Sequence, residues 1–208
     1  SSFVDRADAV FSYQPLHLVG QSTSTVVYRD GKEVASPAAQ KSEHRKKNQF
    51  SGLVSRGEFG PILSIVLLDA AHSELAWSHW ESGANGQVAV VRYHVPAKKS
   101  HYDLKFSLGA DFSEGVNWLP SYHGELAVDP ASGAILRLTT IADLKLDDPL
   151  ATASIAVEYG PVEIAGKSYT CPIRSVALAQ QHVANSTIGA VPSPAIQQTP
   201  LITLLNEV

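Results

Sequence analysis

Residues 122–133 read Tyr122-His123-Gly124-Glu125-Leu126-Ala127-Val128-Asp129-Pro130-Ala131-Ser132-Gly133. In an extended chain Tyr122, Leu126 and Val128 fall on one side, with Gly124 between them, which is the period-two signature of a strand. The run then breaks on Asp129, Pro130 and Gly133, each a turn former for its own steric reason. Ala134 to Ala142 resumes the alternation, so the stretch predicts two antiparallel strands joined by a hairpin.

The same pattern extends outward in both directions, from Gln87 to Ala179. In Val88 to Val95, the odd positions Ala89, Val91, Tyr93 and Val95 make one face wholly apolar. His101 to Leu108 places Tyr102, Leu104, Phe106 and Leu108 opposite His101, Asp103, Lys105 and Ser107, which predicts a strand with one wet face. Ala151 to Tyr159 continues the ladder, and Val162-Glu163-Ile164 and Lys167 to Ala179 flank the short turn Ala165-Gly166. Gly83-Ala84-Asn85-Gly86 has no following helix and reads as a hairpin loop rather than a phosphate cradle. Successive strands are therefore expected to meander.

The first half is less regular. Ser22 to Tyr28, the turn signal Asp30-Gly31 and Glu33-Val34 read as a hairpin with a type I′ turn. Ser2 to Tyr13 carries a weak helical pattern. A second helix is predicted from Pro61, which suits a first helical turn, through Ile62-Leu63-Ser64-Ile65-Val66-Leu67-Leu68-Asp69-Ala70-Ala71. Its apolar residues surround nearly the whole cylinder, so it is expected to be buried against the sheet or to plug its concavity. Leu201 to Val208 reads as a last strand, reached through the proline-rich connector 190–200. The expected fold is mainly β (α+β): a curved antiparallel sheet or half-open β-barrel with one or two helices on its concave side, in a single domain spanning 1–208.

Composition supports a core of that size and narrows the partners. The 208 residues are 44% hydrophobic, and the formal net charge is -4. That balance gives no electrostatic reason to expect nucleic acid, whose phosphates require clustered Lys and Arg. The basic run Lys41-Ser42-Glu43-His44-Arg45-Lys46-Lys47 has no interleaved aromatics and reads as a solvated loop, with anionic lipid headgroups as the alternative. No window approaches the roughly 18 to 20 continuous apolar residues of a transmembrane helix. Cys171 is the sole cysteine, which excludes an internal disulfide framework and a CxxC site; it is expected as a small buried hydrophobe.

Catalytic signatures are sparse. The eight histidines form no HExxH and no paired His at helical spacing. His79, His94, His101 and His123 all fall on predicted strands, from which a site could be gathered in space. No GxSxG elbow occurs. Asp147-Asp148-Pro149 reads as a turn, because neighbouring strand residues face opposite ways and a residue before proline leaves the helical region. Asn185-Ser186-Thr187 fits a glycosylation sequon, which has meaning only in a eukaryotic secreted protein. No cofactor and no metal is expected.

Three blocks carry a family resemblance: Ser55 to Leu63, Tyr122 to Gly133, and Tyr159-Gly160-Pro161-Val162-Glu163-Ile164-Ala165-Gly166-Lys167-Ser168-Tyr169. They resemble uncharacterised exported proteins of acidobacteria. In layout they also resemble, more distantly, the periplasmic outer-membrane lipoprotein carrier and its sigma-regulator relatives. That resemblance implies a half-open antiparallel barrel with helices over its concave side, a binding site for acyl chains, no catalytic residues, and a periplasmic or secreted setting.

Three function classes follow. The first is a non-enzymatic carrier or sensor of a lipid, a lipoprotein acyl chain or another apolar small molecule, held between the sheet and the helix from Pro61 to Ala71. Its expected lining is Leu63, Leu67, Trp77, Tyr93, Tyr102, Leu104 and Phe106, each of which would serve equally well as ordinary core. The second is an interaction module with a filled interior and a protein partner at an edge strand or at the basic loop around Arg45. The third, and least expected, is an enzyme using histidines gathered from several strands.

Overall fold

The computed structural model describes residues 21, 27–29, 32–34, 61–107, 115–145, 148, 150–182 and 201–208. In chain order these form β1 (Val27–Arg29), β2 (Lys32–Val34), α1 (Pro61–Ala71), β3 (Glu74–Gly83), β4 (Gly86–Val95), a 3-10 turn (Ala97–Lys99), β5 (Leu104–Ser107) and β6 (Gly115–Trp118). There follow β7 (Tyr122–Val128), β8 (Ile135–Ala142), β9 (Leu150–Ile164), β10 (Lys167–His182) and β11 (Leu201–Glu207). The expectations for Ser2–Tyr13, the Asp30-Gly31 turn residues, the basic run 41–47, the sequon at Asn185 and the connector 190–200 lie outside the described residues.

Seven strands pair antiparallel in the order β3-β4-β7-β8-β9-β10-β11. Apart from the β5–β6 hairpin inserted between β4 and β7, each strand pairs with the next in sequence, as the meander predicted. Among the described residues the outer strands β3 and β11 do not pair, so the sheet is open rather than closed into a barrel. Register shifts at Trp77/His79, Ala127/Val128, Pro172/Arg174 and Gln180/Gln181 introduce the local bends and added twist that extra residues impose on a ladder.

The hairpin turns follow from residue chemistry. Gly83 pairs with Gly86 across Ala84 and Asn85. In the Asp129 loop, Gly133 takes a left-handed φ of 72° and its N–H donates to the Asp129 carbonyl at 2.8 Å. The β9–β10 turn places both Ala165 (φ 52°) and Gly166 (φ 76°) in the left-handed region, as a type I′ hairpin requires. Beyond β8, whose pairing with β9 ends at Glu158, residues 159–164 and 167–172 pair, among the described residues, only with each other. They form a two-stranded ribbon that projects past the sheet.

The helix has the predicted bounds but a different environment. Ile62, Val66, Asp69 and Ala70, spaced along one stripe, are buried. Leu67 and Leu68 are 42% and 54% exposed. α1 therefore lies on the sheet with one face and does not plug it: a stripe at helical spacing supplies enough apolar surface to dock, and the remaining leucines stay outside. Ile62, Val66 and Ala70 join Tyr93, Val95, Tyr122, Leu126, Leu138, Ile155, Val157, Tyr159 and Ala177 in one core. The opposite face of the sheet is polar at Arg92, His94, His123, Glu125, Arg137 and Glu158, and also carries a small buried cluster of Val88, Val90 and Ala127 together with Ile141, Val176 and Leu178.

Candidate ligand-binding face

A buried acid fixes the helix to the sheet. Asp69 projects from the docked stripe of α1, where its Oδ2 accepts hydrogen bonds from the Tyr122 hydroxyl at 2.7 Å and from the His101 backbone N–H at 2.8 Å. Its Oδ1 shares a 2.5 Å hydrogen bond with His101 Nδ1. Three donors around one buried carboxyl offset the cost of removing it from water. They also tie the segment after β4 to the end of the helix, where Lys99 Nζ additionally donates to the His72 carbonyl. This explains a departure from the sequence reading: His101 and Tyr102 do not open a strand, and β5 begins only at Leu104.

Next to this anchor the sheet is filled. Tyr93 donates its hydroxyl to the Thr139 carbonyl at 2.7 Å and lies 2.8 Å from Thr140 Oγ1. Tyr93 and Tyr102 both meet the Tyr122 ring, with centroids 5.9 and 5.3 Å away. Burial raises the pKa of the Tyr93 phenol. It does the same at Tyr122, where the hydrogen bond to Asp69 adds to the effect.

The face is open toward the start of the helix. A groove of about 310 Å³ lies between Leu63 of α1, Gly133 and Ala134 of the β7–β8 turn, Ile135 at the start of β8, and Tyr159, Thr170 and Pro172 of the β9–β10 ribbon. The turn residues lining it, Gly133 and Ala134, are small, and a register shift in the ladder follows Pro172. Tyr159 is only 8% exposed, yet its hydroxyl has no hydrogen-bond partner among the described residues. Burial pushes its pKa up to about 12.

Of the seven lining residues read from the sequence, the groove contains Leu63 alone. Leu67 lies one helical turn further on and faces outward. Trp77 is 51% exposed and meets Trp80 edge-on at 4.9 Å; through its pairing with Val91 it shares the helix-bearing face. Tyr93 belongs to the filled core, and Tyr102 packs against it. Leu104 packs on the Ala142, Leu150 and Ala153 cluster. Phe106 occupies β5 opposite Val116, and its side chain lies outside the described residues. Tyr159 was missed because its strand reads as plain alternation. Its one distinguishing signal, a tyrosine just before the Gly160-Pro161 interruption, does not separate a core ring from a site.

The histidines divide into separate groups. His94 and His123 are cross-strand partners and both reach Asp143, at 3.6 Å and 2.6 Å. They lie on the polar face, beside an open groove of about 450 Å³ that also includes Glu74, Arg92 and Glu125. His79 sits apart with Ser78 and Glu81, and His101 belongs to Asp69. Among the described residues, no group of three or more His, Cys, Asp and Glu side chains is placed to hold a metal ion. Cys171 is half-buried rather than buried. Comparison with known protein families, with curated proteins and with solved structures gives no match to this chain.

Proposed function

We propose that the protein is a non-enzymatic carrier or sensor that takes up a lipid, an acyl chain or another apolar small molecule on the helix-bearing face of its sheet. The observation behind this reading is the groove of about 310 Å³ between α1, the β7–β8 turn and the ribbon, lined chiefly by apolar atoms. Its volume falls at the lower end of small-molecule sites. Leu67 and Leu68 remain exposed on the helix, and Leu75, Trp77 and Trp80 on the helix-bearing face of the edge strand. Burying such surface supplies about 0.8 kcal/mol per methylene without any charged motif. A periplasmic or secreted setting accords with the resemblance to exported proteins and carriers.

Native mass spectrometry of the full chain after incubation with a total lipid extract tests this. The expected spectrum contains a one-to-one adduct that organic extraction removes. Bare protein at saturating lipid would overturn the reading. It would favour instead an interaction module, for which the projecting ribbon is the specific support: Ile164 and Tyr169 are exposed along it, and Ile173 at the bulge where it begins.

A further inference from the structure

Independently of the apolar groove, we infer that the second groove, on the face opposite the helix, binds a free α-amino acid whose carboxylate meets Arg92 and whose ammonium meets Glu125. The groove holds about 450 Å³, within the range of small-molecule sites. Arg92 and Glu125 both line it and are direct cross-strand partners on β4 and β7. Residues so related project to one side with Cβ atoms about 4.5–5.5 Å apart, close enough for opposite charges to pair. Here the two side chains stay apart. Glu125 turns to the bulge of β3, where its Oε1 accepts a hydrogen bond from Ser78 Oγ at 3.3 Å. The exposed Arg92 guanidinium has no hydrogen-bond or ion-pair partner among the described residues. The other two arginines of this face are both paired, Arg137 with Glu81 at 2.8 Å and Arg174 with Glu207 at 2.9 Å.

The charges around the groove decide the class of ligand. A simple anion drawn to Arg92 would lie beside Glu74 and Glu125, and a simple cation drawn to those carboxylates would lie beside Arg92, so an ion of either sign meets like charge at short range. The histidines of the groove are turned to a carboxylate of their own: His123 Nδ1 lies 2.6 Å and His94 Nε2 3.6 Å from Asp143. A molecule carrying both signs answers Arg92 and Glu125 together. In an α-amino acid the two groups are one carbon apart, which suits counter-charges on adjacent strands. Its carboxylate matches the planar donor fork of a guanidinium, and its ammonium supplies hydrogen bonds to the remaining acceptor sites of Glu125. Ala76, the β3 partner of Arg92, and Ile141, the β8 partner of His123, add apolar surface to the same groove, which favours an aliphatic side chain.

The test follows backbone amide chemical shifts of the full chain at neutral pH during titration with three matched probes: leucine, 4-methylpentanoate, which lacks the ammonium, and 3-methylbutylamine, which lacks the carboxylate. Leucine is expected to shift the amides of Arg92, Gly124 and Glu125 and to bind about three- to tenfold more tightly than either single ion, a modest gain because the groove is open to water. Arg92→Gln should bring leucine down to the affinity of the amine, and Glu125→Gln to that of the carboxylate. Neither variant should lower the melting temperature without ligand, since Arg92 has no partner to lose and a glutamine at 125 still accepts from Ser78. Leucine binding no tighter than the single ions, or unchanged in Arg92→Gln, overturns the inference. Shifts confined to residues outside the groove overturn the placement, and a fall in the melting temperature of Arg92→Gln would show that the guanidinium is committed to the fold, which overturns it as well. All of these outcomes leave the apolar-binding reading standing, because they concern the other face of the sheet.

Discussion

At the scale of single residues, Gly124 shows how little room the helix-bearing face leaves. A Cβ at this position would stand 1.9 Å from the Thr139 carbonyl oxygen and 2.7 Å from the Tyr93 hydroxyl. The first clash is with backbone that already accepts the Tyr93 hydrogen bond, so relief requires parting β7 from β8. Gly124→Ala is expected to lower stability by about 3 kcal/mol, read as a shift of the urea midpoint. Adding Tyr93→Phe should not restore it, because the Thr139 oxygen remains; an unchanged midpoint in the single variant would refute the steric account. Asp69 is the contrasting case. Its place in an otherwise apolar run gave no sign that Tyr122 and His101, fifty-three and thirty-two positions away, converge on it. Burial of a polar group is legible in sequence only through its partners, and these come from a strand and a segment that the chain pattern does not connect to the helix.

At the scale of elements, alternation and turn chemistry were sufficient for the sheet. The hairpin at Asp129 to Gly133, the two-residue loop at Ala84-Asn85 and the β9–β10 turn all occur where glycine and its neighbours placed them, because strand period and backbone sterics are local. What local pattern did not disclose was how far neighbouring strands overlap. β9 and β10 run 15 and 16 residues, and their distal halves leave the sheet as a ribbon once β8 stops pairing. That ribbon turns on Ala165, held at φ 52° without glycine's freedom. A left-handed conformation costs an alanine about 1–2 kcal/mol, which asparagine partly avoids through its short polar side chain. Ala165→Asn is therefore expected to raise stability by up to about 1 kcal/mol, seen as a higher melting temperature. No gain, or a loss, would mean that the turn does not hold the type I′ conformation in solution. The helix teaches the same lesson. Its bounds were readable from Pro61 and the apolar run, but an all-round apolar composition does not say which stripe docks, and the sheet selected Ile62, Val66, Asp69 and Ala70.

At the scale of the molecule, the candidate site was the least legible part, since it depends on a cavity, and a cavity is set by where elements stop. Tyr93 and Tyr102 have the residue types of a binding surface, but the meander brings them against Tyr122 and fills the space. Tyr159 has the same type and lies where the β7–β8 turn and the ribbon diverge. All three buried phenols, Tyr93, Tyr122 and Tyr159, have pKa values raised chiefly by desolvation, and this gives the whole fold an alkaline limit. An unfolded tyrosine ionises near pH 10. A group whose folded pKa lies above its unfolded one contributes stability that is complete below the unfolded value and is lost as pH rises through the folded value. The window opens near pH 10, reaches about 12 for Tyr159, and extends higher for the other two. Absorbance at 295 nm is expected to rise in two phases, exposed phenols ionising near pH 10 and buried ones only as the β-sheet circular dichroism disappears. A single phase near pH 10 with the sheet signal intact would show that water reaches these rings and that the helix does not seal the face it covers.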